Sequence, residues 1–103
     1  MAMTNEDRDL TFVVETKEID LRTATAFDAE LEVAVDAAVR AGAVRLILDF
    51  SAVEFMDSGG ISHLIDARNR LAEASCRLEL QHARRPVVRS LEVLGLNTAF
   101  AVL

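Results

Sequence analysis

Val44-Arg45-Leu46-Ile47-Leu48-Asp49-Phe50, then Ser51-Ala52-Val53-Glu54, then Phe55-Met56-Asp57-Ser58-Gly59-Gly60-Ile61: this run decides the fold. Its first seven residues are nearly continuous in apolar character, as in a central strand covered on both faces. Its end opens an amphipathic stretch in which Ile61, Leu64, Ile65, Leu71 and Ala72 mark a buried helical face. Strand, loop and helix follow one another here, which is the unit of a sheet with parallel pairs.

Toward the N-terminus, Thr25 with Asp28 resembles a loose capping box, and Thr23 is the rival cap. Phe27, Leu31, Ala34, Val35 and Ala38 form one apolar stripe, and Gly42 stands where a left-handed C-cap belongs. Before that helix, Leu10–Glu15 and Glu18–Leu21 read as two strands, suggesting an antiparallel hairpin turned at Thr16-Lys17. Toward the C-terminus, Arg77–Gln81 alternates as a half-buried strand. Pro86 sits in the first turn of a third helix, with Val87, Val88, Leu91 and Leu94 on its apolar side and Gly95 as its stop. Thr98–Leu103 reads as a last strand. The expected fold is α/β, a single domain over residues 10–103 behind a flexible segment 1–9, in the order β-β-α-β-α-β-α-β. Its mixed sheet would join an N-terminal hairpin to parallel strands crossed over by helices.

Composition bounds the function. The chain has 103 residues, 51% of them hydrophobic, so it is globular rather than disordered. The net charge of −6 argues against nucleic acid and against anionic lipid surfaces. One cysteine, Cys76, leaves no internal disulfide and reads as a small packing residue of a reducing compartment. The N-terminus is polar without a signal peptide, and no apolar run reaches the about 18 residues of a membrane span. These features lead to an expected cytoplasmic location.

The residues leave two readings of Ser58. Ser, Asp and Gly are frequent at helix starts for capping alone. The same position presents a hydroxyl at the positive end of a helix, where an anion is favoured by about 0.3–1 kcal/mol, and Gly59 and Gly60 leave room for another molecule to approach. Asp57 shares the ambiguity: it could cap the helix, hold the hydroxyl or meet a partner's cation.

From Glu18 onward the chain resembles a STAS domain of the anti-sigma-factor antagonist type. The resemblance is carried by Glu18-Ile19-Asp20-Leu21-Arg22-Thr23-Ala24, by Leu46 to Ile61 with its central Asp57-Ser58-Gly59-Gly60, and by Arg77–Leu80 followed by Pro86, Val87, Val88, Leu91 and Gly95-Leu96-Asn97. It implies a STAS-like fold, no intrinsic enzyme activity and no intrinsic cofactor. It implies that Ser58 is the phosphoacceptor and that Asp20, Asp57, Ser58, Gly59 and Gly60 form the partner-binding loop. The partner implied is an anti-sigma factor with serine-kinase activity, bringing its own ATP and Mg; a phosphoserine phosphatase would reset the switch. The chain departs from the family pattern at Lys17, where glycine is usual, and at Gly60, where serine is frequent. Its end at Leu103 would leave the last strand as an apolar edge, so a monomer or weak dimer is expected.

Two rival readings remain at this level. One is a constitutive STAS adaptor in a stress-signalling or lipid-transport complex. The other is a small serine hydrolase, which lacks support: Met56 replaces the first glycine of Gly-x-Ser-x-Gly, and neither His63 nor His82 has triad or zinc spacing. Arg84, Arg85 and Arg89 form a basic cluster that reads either as a solvated helix start or as a phosphate-binding group.

Overall fold

The computed structural model describes residues 2–4, 8–96 and 100–102. In chain order the elements are β1 (Ala2–Thr4), β2 (Asp9–Val13), β3 (Glu18–Ile19), α1 (Ala24–Ala41), β4 (Arg45–Asp49), β5 (Phe55–Met56), α2 (Ser58–Glu73), β6 (Arg77–Gln81), α3 (Arg85–Val93) and β7 (Ala101–Val102). A five-stranded sheet runs β1-β2-β4-β6-β7, antiparallel at β1–β2 and parallel elsewhere. β3 and β5 form a separate parallel pair, with Glu18 opposite Phe55 and Ile19 opposite Met56. The α/β architecture with three helices and parallel strands is the one expected.

The hairpin is placed differently. β2 and β3 do not pair; the antiparallel contact lies one strand earlier, between β1 and β2. The reason is the fate of the connecting residues. The Glu30 carboxylate on α1 accepts the amides of Glu15 (2.7 Å) and Thr16 (3.1 Å) and the Thr16 hydroxyl, so the chain leaves the sheet and crosses to the helix. The amides of Glu54 and Phe55 then donate to the Lys17 carbonyl and draw β3 onto β5. β5 itself is too short to show a strand pattern in the sequence. Within the segment expected to be flexible, Ala2–Thr4 forms β1, while 5–7 lie outside the described residues. Of the expected last strand, Ala101–Val102 is observed, and 98–99 and 103 lie outside the described residues.

α1 buries the stripe Phe27, Leu31, Ala34, Val35 and Ala38 and ends at Gly42 in the left-handed conformation (φ 64°). Its N-cap position is Thr23 rather than Thr25, and the Thr23 hydroxyl is turned to the Glu18 carbonyl at 2.5 Å instead of capping. Phe27 meets Phe50 edge-on with centroids 6.3 Å apart, fixing α1 over the end of β4.

β4 is not apolar on both faces. Leu46 and Leu48 join the main core, whereas Ile47 faces the other way with Arg45 and Asp49. There Arg45 bridges two buried carboxylates from the flanking strands, Asp9 on β2 and Glu79 on β6, the latter at 3.0 Å. The charges run across the strands where a second apolar layer was expected. On α2 the buried face is Gly60, Ile61, Leu64, Ala67 and Leu71; Ala72, expected inside, is exposed because it lies one residue off that stripe. On α3, Val87 and Leu91 are buried, but Leu94, also expected inside, stands just past the last helical residue and is 50% exposed.

Candidate partner-binding site

The site grows from the β3–β5 pair. Because these strands are parallel and in register at Ile19 and Met56, the residues that follow them, Asp20 and Asp57, emerge at the same end. The Asp57 amide donates to the Ile19 carbonyl at 2.9 Å, which fixes the two turns to each other. The structure therefore brings together Asp20, Asp57, Ser58, Gly59 and Gly60, which are distant in part along the chain.

Asp57 is the N-cap of α2. Its Oδ1 accepts the amides of Gly59 (2.9 Å) and Gly60 (3.2 Å), two donors that the first turn leaves without helical partners. Ser58 is the first helical residue and is exposed. Among the described residues none hydrogen-bonds its hydroxyl, so the side chain is presented outward at the positive end of the helix. Gly59 is exposed, whereas Gly60 is buried against Ile19 and Met56 and contributes through packing.

Asp20 holds its own turn. Its Oδ1 accepts the amides of Arg22 (2.9 Å) and Thr23 (3.2 Å), and its Oδ2 lies 3.2 Å from Arg22 Nη2. The bonded Arg22 side chain and these amides hold the Asp20 carboxyl below its ordinary range. Next to it, Leu21 is 90% exposed.

A groove of about 420 Å³ opens beside Ser58. One wall is Phe55, Met56, Asp57, Ser58 and Ile61; the other is α3, through Pro86, Arg89, Ser90, Val93 and Leu94. Phe55, Val93 and Leu94 leave large apolar surfaces open, Val93 at 77%. Sequence reasoning missed this wall because α3 carries two stripes. Val87 and Leu91 point to the core, while Pro86, Ser90 and Val93 recur at helical spacing on a second face.

The remaining candidates lie elsewhere. His63 pairs with Asp28 of α1 (Nδ1 to Oδ1, 3.2 Å), and neither histidine lines the groove at Ser58. Arg84 donates through Nε to the Ser51 carbonyl at 2.9 Å, tying the β4–β5 loop to α3. Cys76 is buried, and burial pushes its thiol above the ordinary range, as suits a packing residue. Among the described residues no group of three or more His, Cys, Asp or Glu is arranged to hold a metal ion, and no helix is long and apolar enough to cross a membrane.

A protein-family model described as "Mlab, STAS domain" matches residues 5–103, and the chain belongs to that family. Three solved structures are similar to it. An anti-sigma factor antagonist from Mycobacterium paratuberculosis is 28% identical, with TM-score 0.71, covering 98% of this chain and 81% of that one. A candidate anti-sigma factor antagonist of Thermotoga maritima is 15% identical, with TM-score 0.77, covering 98% and 81%. A sulfate transporter family protein of Wolinella succinogenes is 14% identical, with TM-score 0.76, covering 99% and 80%. No curated protein sequence matches the chain significantly.

Proposed function

We propose that this chain is an anti-sigma-factor antagonist: it binds an anti-sigma factor with serine-kinase activity and is switched off when that partner phosphorylates Ser58. The single observation that carries the reading is the placement of Ser58. It is an exposed hydroxyl, one residue past a capping aspartate and beside an open apolar groove. The 28%-identical anti-sigma factor antagonist supports the antagonist role.

In the switching step the Ser58 Oγ attacks the γ-phosphorus of the partner's ATP. The Oγ–P bond forms, the bond to the β-phosphate oxygen breaks, ADP leaves and the hydroxyl proton is lost to the partner or solvent. ATP and Mg belong to the kinase, and a phosphoserine phosphatase reverses the modification. Ser58 is a substrate in this scheme, and neither histidine lines the groove beside it. The product adds about −1.5 to −2 charges to a chain already at −6. At an apolar interface such a charge costs about several kcal/mol to desolvate, and each 1.4 kcal/mol is about tenfold in affinity. Asp20, Asp57, Ser58 and Gly59 would meet the partner; buried Gly60 would act indirectly by fixing the loop.

A constitutive adaptor is the second reading, because a transporter-family protein shares the fold about as closely as the Thermotoga antagonist does. Incubation with candidate ATPase-fold kinases and ATP, followed by mass-spectrometric mapping, separates the two. A single phosphate on Ser58 is the expected product. Phosphate elsewhere, or none with any cognate kinase, would overturn the switch.

A further inference from the structure

We propose that, once Ser58 carries a phosphoryl group, Arg89 binds that group within the same chain and closes the groove. The inference rests on Ser58 being the phosphoacceptor and adds how the modified state is held. It also gives one member of the basic cluster Arg84, Arg85 and Arg89 a defined role. Arg84 is committed to the Ser51 carbonyl, and Arg85 does not line the groove. Arg89 does line it, from the α3 wall facing Ser58, and among the described residues no carboxylate pairs with it.

The charged side chains lining the groove are Asp57 and Arg89. Asp57 is turned to the α2 amides through its Oδ1, so it is spent on the helix start. A dianion on Ser58 would therefore find one cation across the groove, with the positive end of α2 beneath it. A guanidinium matches a phosphoryl group well, because its planar fork gives two parallel N–H donors to phosphate oxygens. Bridging from α3 to α2 lays the Arg89 side chain across the apolar rim formed by Phe55 and Val93. The modified protein would then offer a partner a closed, polar surface as well as a repelling charge.

The test uses the full chain with phosphoserine installed at position 58 by amber-codon suppression, so that it does not depend on any kinase. The second ionisation of the phosphate, ordinarily near about pH 6, is followed by ³¹P NMR. Its midpoint should lie at least about half a unit lower than in the R89Q variant, because a nearby cation favours the dianion. R89K should fall between them, and R85Q should match the parent. Equal midpoints for the parent and R89Q, or an equal rise in R85Q and R89Q, would overturn the inference. Failure of every kinase to modify Ser58 would instead overturn the proposed function, and the two failures are read separately.

Discussion

Gly60 lies beneath Ile19 with no room for a side chain: a Cβ built on it would stand 2.5 Å from Ile19 Cγ2 and 2.7 Å from Met56 Cγ. The start of α2 is thereby packed onto the β3–β5 pair that carries Asp20 and Asp57. Gly60→Ala forces this contact apart in a buried place and is expected to destabilise by about 1–3 kcal/mol. Gly59→Ala meets only Asp57 Oδ1, at 3.2 Å, and gains helix propensity, so its stability should change little. Urea denaturation of both variants checks the contrast. Equal midpoints would show that the packing at Gly60 does not fix the loop.

Asp57 should act first as a cap. Asp57→Ala removes the acceptor for two amides and is expected to lose about 1 kcal/mol, while Asp57→Ser or Asp57→Asn should retain most of the stability. Thermal unfolding of the three variants provides the measurement. If Asp57→Ala is as stable as the parent, the cap contributes nothing and the geometry of the Ser58 loop needs another cause.

The outline of this fold and the geometry of the candidate site were readable in the sequence for a physical reason. Apolar periodicity reports burial, so the α1 stripe from Phe27 to Ala38 and the Asp57 helix start could be placed directly. Pairing is a tertiary fact and could not. The reach of Glu30 to Glu15 and Thr16 turned an expected hairpin into a crossover, and nothing local to residues 10–21 signals it. Val44–Phe50 read as a strand covered by apolar residues on both faces; only the neighbouring strands show that Arg45 is shared by Asp9 and Glu79. The groove was hidden because Val93 and Leu94 are as apolar as core residues. Periodicity marks a face and does not say whether the protein itself or a partner covers it.

Arg45 tests the polar face of the sheet. Asp9 and Glu79 are each 7% exposed at the side chain, and Arg45 is shared between them. Arg45→Ala removes the cation shared by Asp9 and Glu79 and should lower stability. The deficit should shrink in acid, as protonation removes the negative charges that Arg45 no longer offsets. Denaturant midpoints at neutral and acid pH provide the check; a loss independent of pH would assign the effect to packing instead.

Asp20 has a defined acid limit. Its folded carboxyl is held below the ordinary value of 3.8, chiefly by the hydrogen bond from the Arg22 side chain. A depressed carboxylate stabilises the fold above its unfolded value and loses that contribution as pH falls through the folded one. The Asp20 turn should therefore stay intact above pH 3.8 and loosen only below it. The amide resonances of Arg22 and Thr23 should report this titration by NMR, and Arg22→Ala should move its midpoint upward. An unmoved midpoint would remove Arg22 as the cause.

The charge state of Ser58 is proposed to set affinity for the partner. Calorimetry of the cognate anti-sigma factor with the unmodified chain, the Ser58-phosphorylated chain and Ser58→Ala tests this most directly. The unmodified chain and Ser58→Ala are expected to bind alike, and phosphorylation to weaken binding by about a hundredfold or more, the scale of several kcal/mol. Equal affinity for the phosphorylated and unmodified chains would contradict the switch and favour a constitutive adaptor.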